Sequence, residues 1–442
     1  MTTTICQDVF LEITKYLFYN KDIVRFLSVN KTAHSSKQKC DFVERVCYYC
    51  DLEKVSYYKQ LNTMYYYYKG RDDIIHPVPY VRFLVLSPED LEGLVLPPTI
   101  KVMTLDGLFD QHFLPGVFPD SLQKLKFNFN FNQPLIPGVF PDSLREITFG
   151  FLFNQPLVAG VFPPSLQEIK LGRNFNQPLI PGVFPPSLQK IKFNLDFNQP
   201  LVPGVFPDSL KKIRFGNCFN QPLLPGVFPD SLRKISFGWD FNQPLKQGVF
   251  LSSLQKITFI KCFDQPLVPG VFPDSLQKLI FGDRFDQPLV PGCFPSSLKE
   301  ITFGDMFNRP LVSGVFLSSL RVIHLRNHFN QPLVPGVFPD SLKELYFGYH
   351  FNQPLVSGVF PPSLQEIHFG DSFNQPIHPS FLPNSLKEIT FGLGFNQPLD
   401  PTLLPSSLQK ITLPSHDKNM YQCIVSFYKE TEVSVIFHIL RH

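Results

Sequence analysis

The sequence lacks most of what marks an enzyme, a membrane protein or a secreted scaffold. No apolar run reaches the roughly 18 residues that a bilayer crossing needs. Met1-Thr-Thr-Thr-Ile5 has none of the basic start, apolar core and small-residue cleavage site of a secretory leader. The eight cysteines, Cys6, Cys40, Cys47, Cys50, Cys218, Cys262, Cys293 and Cys423, follow no framework spacing, which excludes a disulfide-stapled scaffold and implies reduced thiols in a soluble, intracellular, cytoplasmic protein. There is no Gly-rich phosphate loop, no His-Glu-x-x-His and no nucleophile elbow, so neither catalysis nor a cofactor is expected. A net charge of +3 over 442 residues is far from the strongly basic balance of a dedicated nucleic-acid binder. Neither nucleic acid nor a membrane is an expected partner.

What the chain does have is repetition. A phrase close to Phe-Asn-Gln-Pro-Leu returns every 22 residues without insertion or deletion, opening at Phe131, Phe153, Phe175 and so on to Phe395, with a weaker copy at Phe109, which makes fourteen units in phase. A fixed period of this size is the mark of a solenoid. The abundance of Pro and Phe follows from copying the phrase.

Each unit alternates two kinds of segment. In the copy from Phe197 to Cys218, Leu210-x-x-Ile213-x-Phe215 ends on apolar residues two apart, the period of a short half-buried strand, and Gly216 bounds it. Gln199 to Ser209 carries three prolines and a glycine, which forbids a helix and favours extended turns. One rung cannot bury its Leu, Ile and Phe side chains alone, but parallel pairing of each strand with its copy, at about 4.8 Å, stacks identical residues into columns. An Asn column, Asn132, Asn154, Asn176, Asn198, Asn220 and Asn242, becomes Asp at Asp110, Asp264 and Asp286, and is expected to satisfy backbone groups of the turns. Ile100, Met103 and Leu105, and before them Val78, Val81 and Phe83, continue the apolar columns upstream as two degenerate rungs. Downstream, Tyr421 to Phe427 and Val433 to Phe437 read as two strands of a terminal cap.

The strand and turn Leu-x-x-Ile-x-Phe-Gly-x-x-Phe-Asn resemble the leucine-rich-repeat consensus, with the Asn two residues late. The whole unit, as in Phe131-Asn132-Gln133-Pro134, resembles the FNIP repeat, a leucine-rich-repeat relative of social amoebae and giant DNA viruses of amoebae, with Gln in place of Ile. That resemblance implies a protein-interaction module.

The first 45 residues have a different period. Val9, Phe10, Ile13, Tyr16 and Leu17 share one helical face, and Asp22 to Val29 repeats the device, which predicts a helical hairpin. Ile5-Cys6-Gln7-Asp8-Val9-Phe10-Leu11-Glu12-Ile13-Thr14-Lys15-Tyr16-Leu17, followed by Phe26 to Val29, resembles an F-box, the motif that docks on the Skp adaptor of cullin-RING ubiquitin ligases. Cys6 stands where the family has Pro, and Ala33-His34 where it has Trp. The resemblance implies that Ile5, Cys6, Val9, Phe10, Ile13, Leu17 and Val29 contact such an adaptor and that the array holds a target for ubiquitination; the bland alternative is a helical cap on the first rung. The Tyr-rich stretch to residue 73 reads as a helical connector. Cys47-x-x-Cys50 with Cys40 and His34 has a zinc reading, against two half-buried thiols on a helix, and a lone Cys-x-x-Cys favours the thiols.

The expected fold is thus α+β: a helical hairpin over 1–45, a helical connector over 46–73, degenerate repeats over 74–108, a parallel-β solenoid over 109–413 and a C-terminal β cap over 414–442. Binding chemistry is expected in the columns that vary between rungs. One flank of the strands reads Lys190, Lys212, Lys234, Lys256 and Lys278, then turns acidic at Glu300, Glu344, Glu366 and Glu388; the other includes Lys192 and Arg214 and later His324, Tyr346 and His368. The lysines repel one another, so either solvent screens them or an acidic partner uses them. Trp239 is the candidate aromatic anchor, and His328 and His350, in one column, offer a histidine patch for a partner or, at the extreme, two ligands for a metal.

Overall fold

The computed structural model describes residues 64–67, 80–84, 96, 98, 100–106, 109–415, 421–429 and 432–437. They fall in two compact units that divide after Phe197. In the first, seven strands pair in parallel in chain order: β1 (Met64–Tyr67), β2 (Tyr80–Leu84), β3 (Val102–Asp106), β4 (Lys124–Phe127), β5 (Glu146–Thr148), β6 (Glu168–Lys170) and β7 (Lys190–Lys192). In the second, the same holds for β8 (Lys212–Arg214), β9 (Lys234–Ser236), β10 (Lys256–Thr258), β11 (Lys278–Ile280), β12 (Glu300–Thr302), β13 (Val322–His324), β14 (Glu344–Tyr346), β15 (Glu366–His368), β16 (Glu388–Thr390), β17 (Lys410–Leu413) and β18 (Ser434–Phe437). The register follows the repeat: Val81 lies opposite Met103, Met103 opposite Leu125, and Ile301 opposite Ile323.

Three residues suffice for a strand because only the middle one enters the core. In β8, Lys212 and Arg214 are exposed and Ile213 is buried. The following Phe continues the pairing, as when Phe215 N–H donates to Ser236 O at 2.8 Å. It also stacks on the Phe that opens the next phrase, Phe215 on Phe219 at 4.1 Å, and that ring stacks on its copy in the next rung, Phe219 on Phe241 at 6.1 Å and 3°. Burying each such ring contributes about 1.5–3 kcal/mol.

Two ladders of side chains satisfy the backbone between rungs. Asn220 Oδ1 accepts from Asn242 N–H at 2.9 Å, while Gln243 Nε2 donates to Asn220 O at 3.0 Å. The position needs only an acceptor, so Asp264 Oδ1 serves Asp286 N–H equally well at 2.9 Å, which explains the interchange of Asn and Asp. A second ladder, absent from the sequence reading, is made by serine: Ser275 Oγ donates to Leu254 O at 2.8 Å and Ser297 Oγ to Leu276 O at 2.7 Å.

The return path turns sharply at Ile136-Pro137-Gly138-Val139, where Val139 N–H reaches Ile136 O at 3.4 Å and Gly138 has φ 86°. Pro at the second and a left-handed Gly at the third place define a type II turn. The last two rungs have Ser380 and Thr402 in place of that Gly. Both residues avoid positive φ, and the chain forms 3-10 turns over Pro379–Phe381 and Pro401–Leu403 instead, the second capped by Asp400 Oδ1 accepting from Thr402 N–H at 2.9 Å.

Three expectations are corrected here. The architecture is a parallel β-solenoid in each unit, not α+β: among the described residues the only α-helix is α1 (Gln422–Tyr428). The expected N-terminal helical hairpin lies outside the described residues. Within the Tyr-rich connector, Met64–Tyr67 is a strand where a helix is expected, in keeping with the strand preference of tyrosine. At the other end, Tyr421 to Phe427 is helical, not a strand. Tyr421 at its N-cap and Ile424 and Tyr428 within it are buried, spaced three and four apart. Tyr421 is 0% exposed, its hydroxyl donates to Phe395 O at 3.0 Å, and the helix so covers the open end of the last phrase. The strand expected in Val433 to Phe437 forms as β18 and extends the sheet beyond β17.

Candidate functional site

Parallel register decides which side chains meet on the strand face. In the second unit Lys212, Lys234, Lys256 and Lys278 stand directly opposite one another on β8 to β11, with Glu300 next. Lys278 is taken up by an ion pair with Glu300. Lys212, Lys234 and Lys256 have no carboxylate partner among the described residues. Burial, with the Lys278 ammonium next in weight, holds Lys256 below the usual lysine range; Glu300 opposes the shift, and Lys234 and Lys212 add to it. Arg214 is exposed on the other flank of β8. Lys190 and Lys192 belong to the first unit, on β7, where Lys190 Nζ lies 3.5 Å from Glu168 Oε2. Burial alone raises the Glu168 carboxyl, but Lys170 and Lys190 outweigh it and leave the group below its usual range.

The other sequence candidates assemble into a second group on β13 to β15. His324, Tyr346 and His368 form one stack, with centroids 4.4 and 4.5 Å apart and planes within 16°. Tyr346 Oη donates to Glu344 Oε2 at 2.9 Å and to Glu366 Oε2 at 3.3 Å, a bridge that depends on the register of β14 and β15. Burial lowers both imidazoles in spite of nearby carboxylates, Glu300 for His324 and Glu388 for His368. Burial and the charges of Glu344 and Glu388 raise the Glu366 carboxyl. The stack therefore presents neutral rings beside a row of acids.

That row has a consequence for stability. A carboxyl raised on folding keeps its proton to higher pH in the native state than in the unfolded chain, so its contribution to stability falls as pH rises from about 4.5 through the raised value. Glu366→Gln removes the cost. The variant should melt higher than the parent at pH 7.5, by less than about 1 kcal/mol because the site is largely solvated, and lose that advantage near pH 4. A melting temperature below the parent's at pH 7.5 contradicts the assignment.

The remaining candidates do not join these groups. Trp239 is 47% exposed in the turn after β9, with Lys261 Nζ 4.8 Å above its ring. His328 and His350 lie 5.2 Å apart and tilted by 35°, and His328 Nδ1 is 2.8 Å from Asp305 O. Among the described residues no group of three or more His, Cys, Asp or Glu is placed to hold a metal. Ile5, Cys6, Val9, Phe10, Ile13, Leu17 and Val29, and the Cys47-x-x-Cys50 pair, lie outside the described residues. Among those described, no helix is long and apolar enough to cross a membrane.

Two surfaces escaped the sequence reading. One is the residue after each phrase, exposed at Ile136, Val158 and Ile180 in the first unit and at Val202, Leu224, Val268 and Val290 in the second; nothing in its apolar character distinguishes it from the core columns. The other is Phe129, Phe151 and Arg173, the first-unit members of the turn column to which Trp239 belongs, which varies from rung to rung and is legible by that variation.

The FNIP Repeat family model matches residues 89–130, 109–152, 131–174, 153–196, 175–218, 219–262, 263–306, 307–350 and 351–394. Among solved structures, CroV588, described as a novel circular leucine-rich-repeat protein, is 35% identical with a TM-score of 0.73, over 80% of this chain and 52% of that one. The chain thus spans about half the length of that relative. A chain of the Toll–Spatzle complex of Drosophila aligns at 15% identity and a TM-score of 0.49, over 83% of this chain and 59% of that one. No curated protein matches the chain.

Proposed function

The chain belongs to the FNIP repeat family, a leucine-rich-repeat type of solenoid, and from that premise we propose that it recruits a target protein to a Skp-cullin-F-box ubiquitin ligase. The repeats supply the target-binding part. A solenoid presents rigid, parallel strand faces whose buried columns are fixed by packing, so its outward columns are free to encode a partner at little ordering cost. The observation that carries the reading is the row Lys212, Lys234 and Lys256, three in-register ammonium groups without carboxylate partners among the described residues. A row of this kind suits an acidic stretch of a folded or extended target. The aromatic stack at His324, Tyr346 and His368 offers a contact of different chemistry in the same unit.

The adaptor half of the proposal rests on the F-box-like pattern from Ile5 to Leu17, placed ahead of a leucine-rich-repeat type of array. Titration of the full-length protein with a purified Skp adaptor tests it. The expected result is a complex of about micromolar or tighter affinity, lost when Ile13 and Leu17 are both replaced by Asp. Absence of a complex with the parent protein removes the ubiquitin connection and leaves an interaction scaffold, since the strand-face chemistry does not depend on the adaptor.

A further inference from the structure

In the first unit the turn between each strand and the following phrase carries its own ladder of backbone hydrogen bonds. Leu152 N–H donates to Phe129 O, Asn174 N–H to Phe151 O and Asp196 N–H to Arg173 O, each at 3.0 Å. Because the ladder repeats, the side chains of Phe129, Phe151 and Arg173 lie one over the next. The two rings stack at 4.8 Å and 13°, and the Arg173 guanidinium carbon lies 4.6 Å from the centre of the Phe151 ring. Phe129 is nevertheless 57% exposed. The column begins at Gly107 and continues past Arg173 with Leu195, Asn217, Trp239 and Lys261, and no two neighbouring copies from there to Leu393 are both aromatic, so aromatic residues on adjacent rungs occur only here.

An open, shallow hollow of about 430 Å³ lies beside the stack; its wall includes Lys126, Thr148 and Asn194 as well as the stack itself and holds no carboxylate. That volume lies within the range of sites that take a small ligand or a bulky side chain. Its charge is one-sided. Lys126 is exposed, whereas the carboxylates of the same strands are engaged elsewhere, Glu146 with Lys124 at 2.7 Å and Glu168 with Lys170 at 2.9 Å. A ligand for this place needs a flat or bulky apolar group to cover Phe129 and an anion to meet Lys126 and Arg173.

We propose that the step formed by Phe129, Phe151 and Arg173 is a binding site for an acidic peptide segment that presents an aromatic or other bulky apolar side chain. The apolar side chain lies against Phe129 in the open hollow, and a carboxylate within two residues of it meets Arg173 or Lys126. The rings are held by the backbone ladder before anything binds, so little ordering is lost on binding. The site is separate from the lysine row of β8 to β11 and stands or falls independently of it.

Panning a random heptapeptide library on the immobilised full-length protein tests this, with Phe129→Ala/Phe151→Ala and Lys212→Glu/Lys234→Glu/Lys256→Glu proteins in parallel. Enriched sequences should combine an aromatic or Leu with a nearby Asp or Glu, bind the lysine-row variant unchanged, and lose about tenfold or more in affinity on the double alanine variant. Arg173→Glu, an exposed change that spares both rings, should also weaken them. Peptides that keep their affinity for the lysine-row variant and bind the double alanine variant equally well, or a library in which no sequence retained by the lysine-row variant is enriched over the double alanine variant, overturn the proposal. So does binding of a 20-residue oligothymidylate that depends on Phe129, which would make the step a stacking platform for single-stranded nucleic acid.

Discussion

Replacing Phe285 by alanine should destabilise the unit that begins at Asn198 by about 3–5 kcal/mol. Phe285 is 0% exposed and its ring is held on three sides, by Phe281 at 3.9 Å within the rung and by Phe263 and Phe307 at 6.1 Å above and below. The hole cannot close by collapse. Phe263 and Phe307 are tied to their own rungs, Phe263 through its stack with Phe259 at 4.0 Å and Phe307 through Phe303 at 4.3 Å, so neither can move in without leaving its own place. The Asn ladder adds a constraint, because Asp264, Asp286 and Asn308 fix the backbone separation on both sides at 2.9 Å per hydrogen bond. In a stack stabilised by nearest-neighbour contacts, damage at one rung weakens two interfaces. Urea denaturation measures the loss. Val268→Ala, an exposed residue on a neighbouring rung, serves as the control and should change stability by less than about 0.5 kcal/mol. A loss below about 1 kcal/mol for Phe285→Ala would mean that the rungs slide to refill the column, against the rigid packing expected of protein interiors.

The same columns show how far the sequence could be read. A constant period reports register directly, since a residue and its copy 22 places on must meet if each unit is one turn. Met103 opposite Leu125, or Ile301 opposite Ile323, follows without further information. Side chains at the ends of the array obey no such rule. Tyr421-Gln-Cys-Ile-Val-Ser-Phe427 is short and apolar enough to suit either a strand or a helix, and its helical form is selected by the fit of Tyr421 and Ile424 against the last rung, which the local sequence does not record. The strand at Met64–Tyr67 pairs with β2 at an offset other than 22, Met64 opposite Val81, so no periodic argument reaches it. Of the candidate surfaces, His324, Tyr346 and His368 were legible as variable positions. Their union through Glu344 and Glu366 was not, because it depends on a hydroxyl reaching carboxylates on two strands at once.

Lys234→Glu should move stability and binding in opposite directions, and that opposition distinguishes a binding row from a merely solvated one. Neighbouring strands lie about 4.8 Å apart, where two unit charges in water repel by about 1 kcal/mol or less. Lys234 sits between Lys212 and Lys256 in register, so a carboxylate there converts two repulsions into two attractions. The depressed Lys256 should return toward its ordinary range once the Lys234 charge is gone and a carboxylate has replaced it. The fold should therefore gain up to about 1 kcal/mol, read as a higher melting temperature at low salt and a gain that fades as salt screens it. Binding to an acidic partner should do the reverse. With polyglutamate as the probe, the single reversal should cost about tenfold in affinity and Lys212→Glu/Lys234→Glu/Lys256→Glu about a hundredfold or more, with the salt dependence of binding reduced in step. An array whose lysines serve only to keep the face solvated would gain stability from Lys234→Glu and show no polyglutamate binding to lose. One whose lysines hold an acidic target keeps three like charges in line at a cost to its own stability, and the partner that neutralises them recovers that cost on binding.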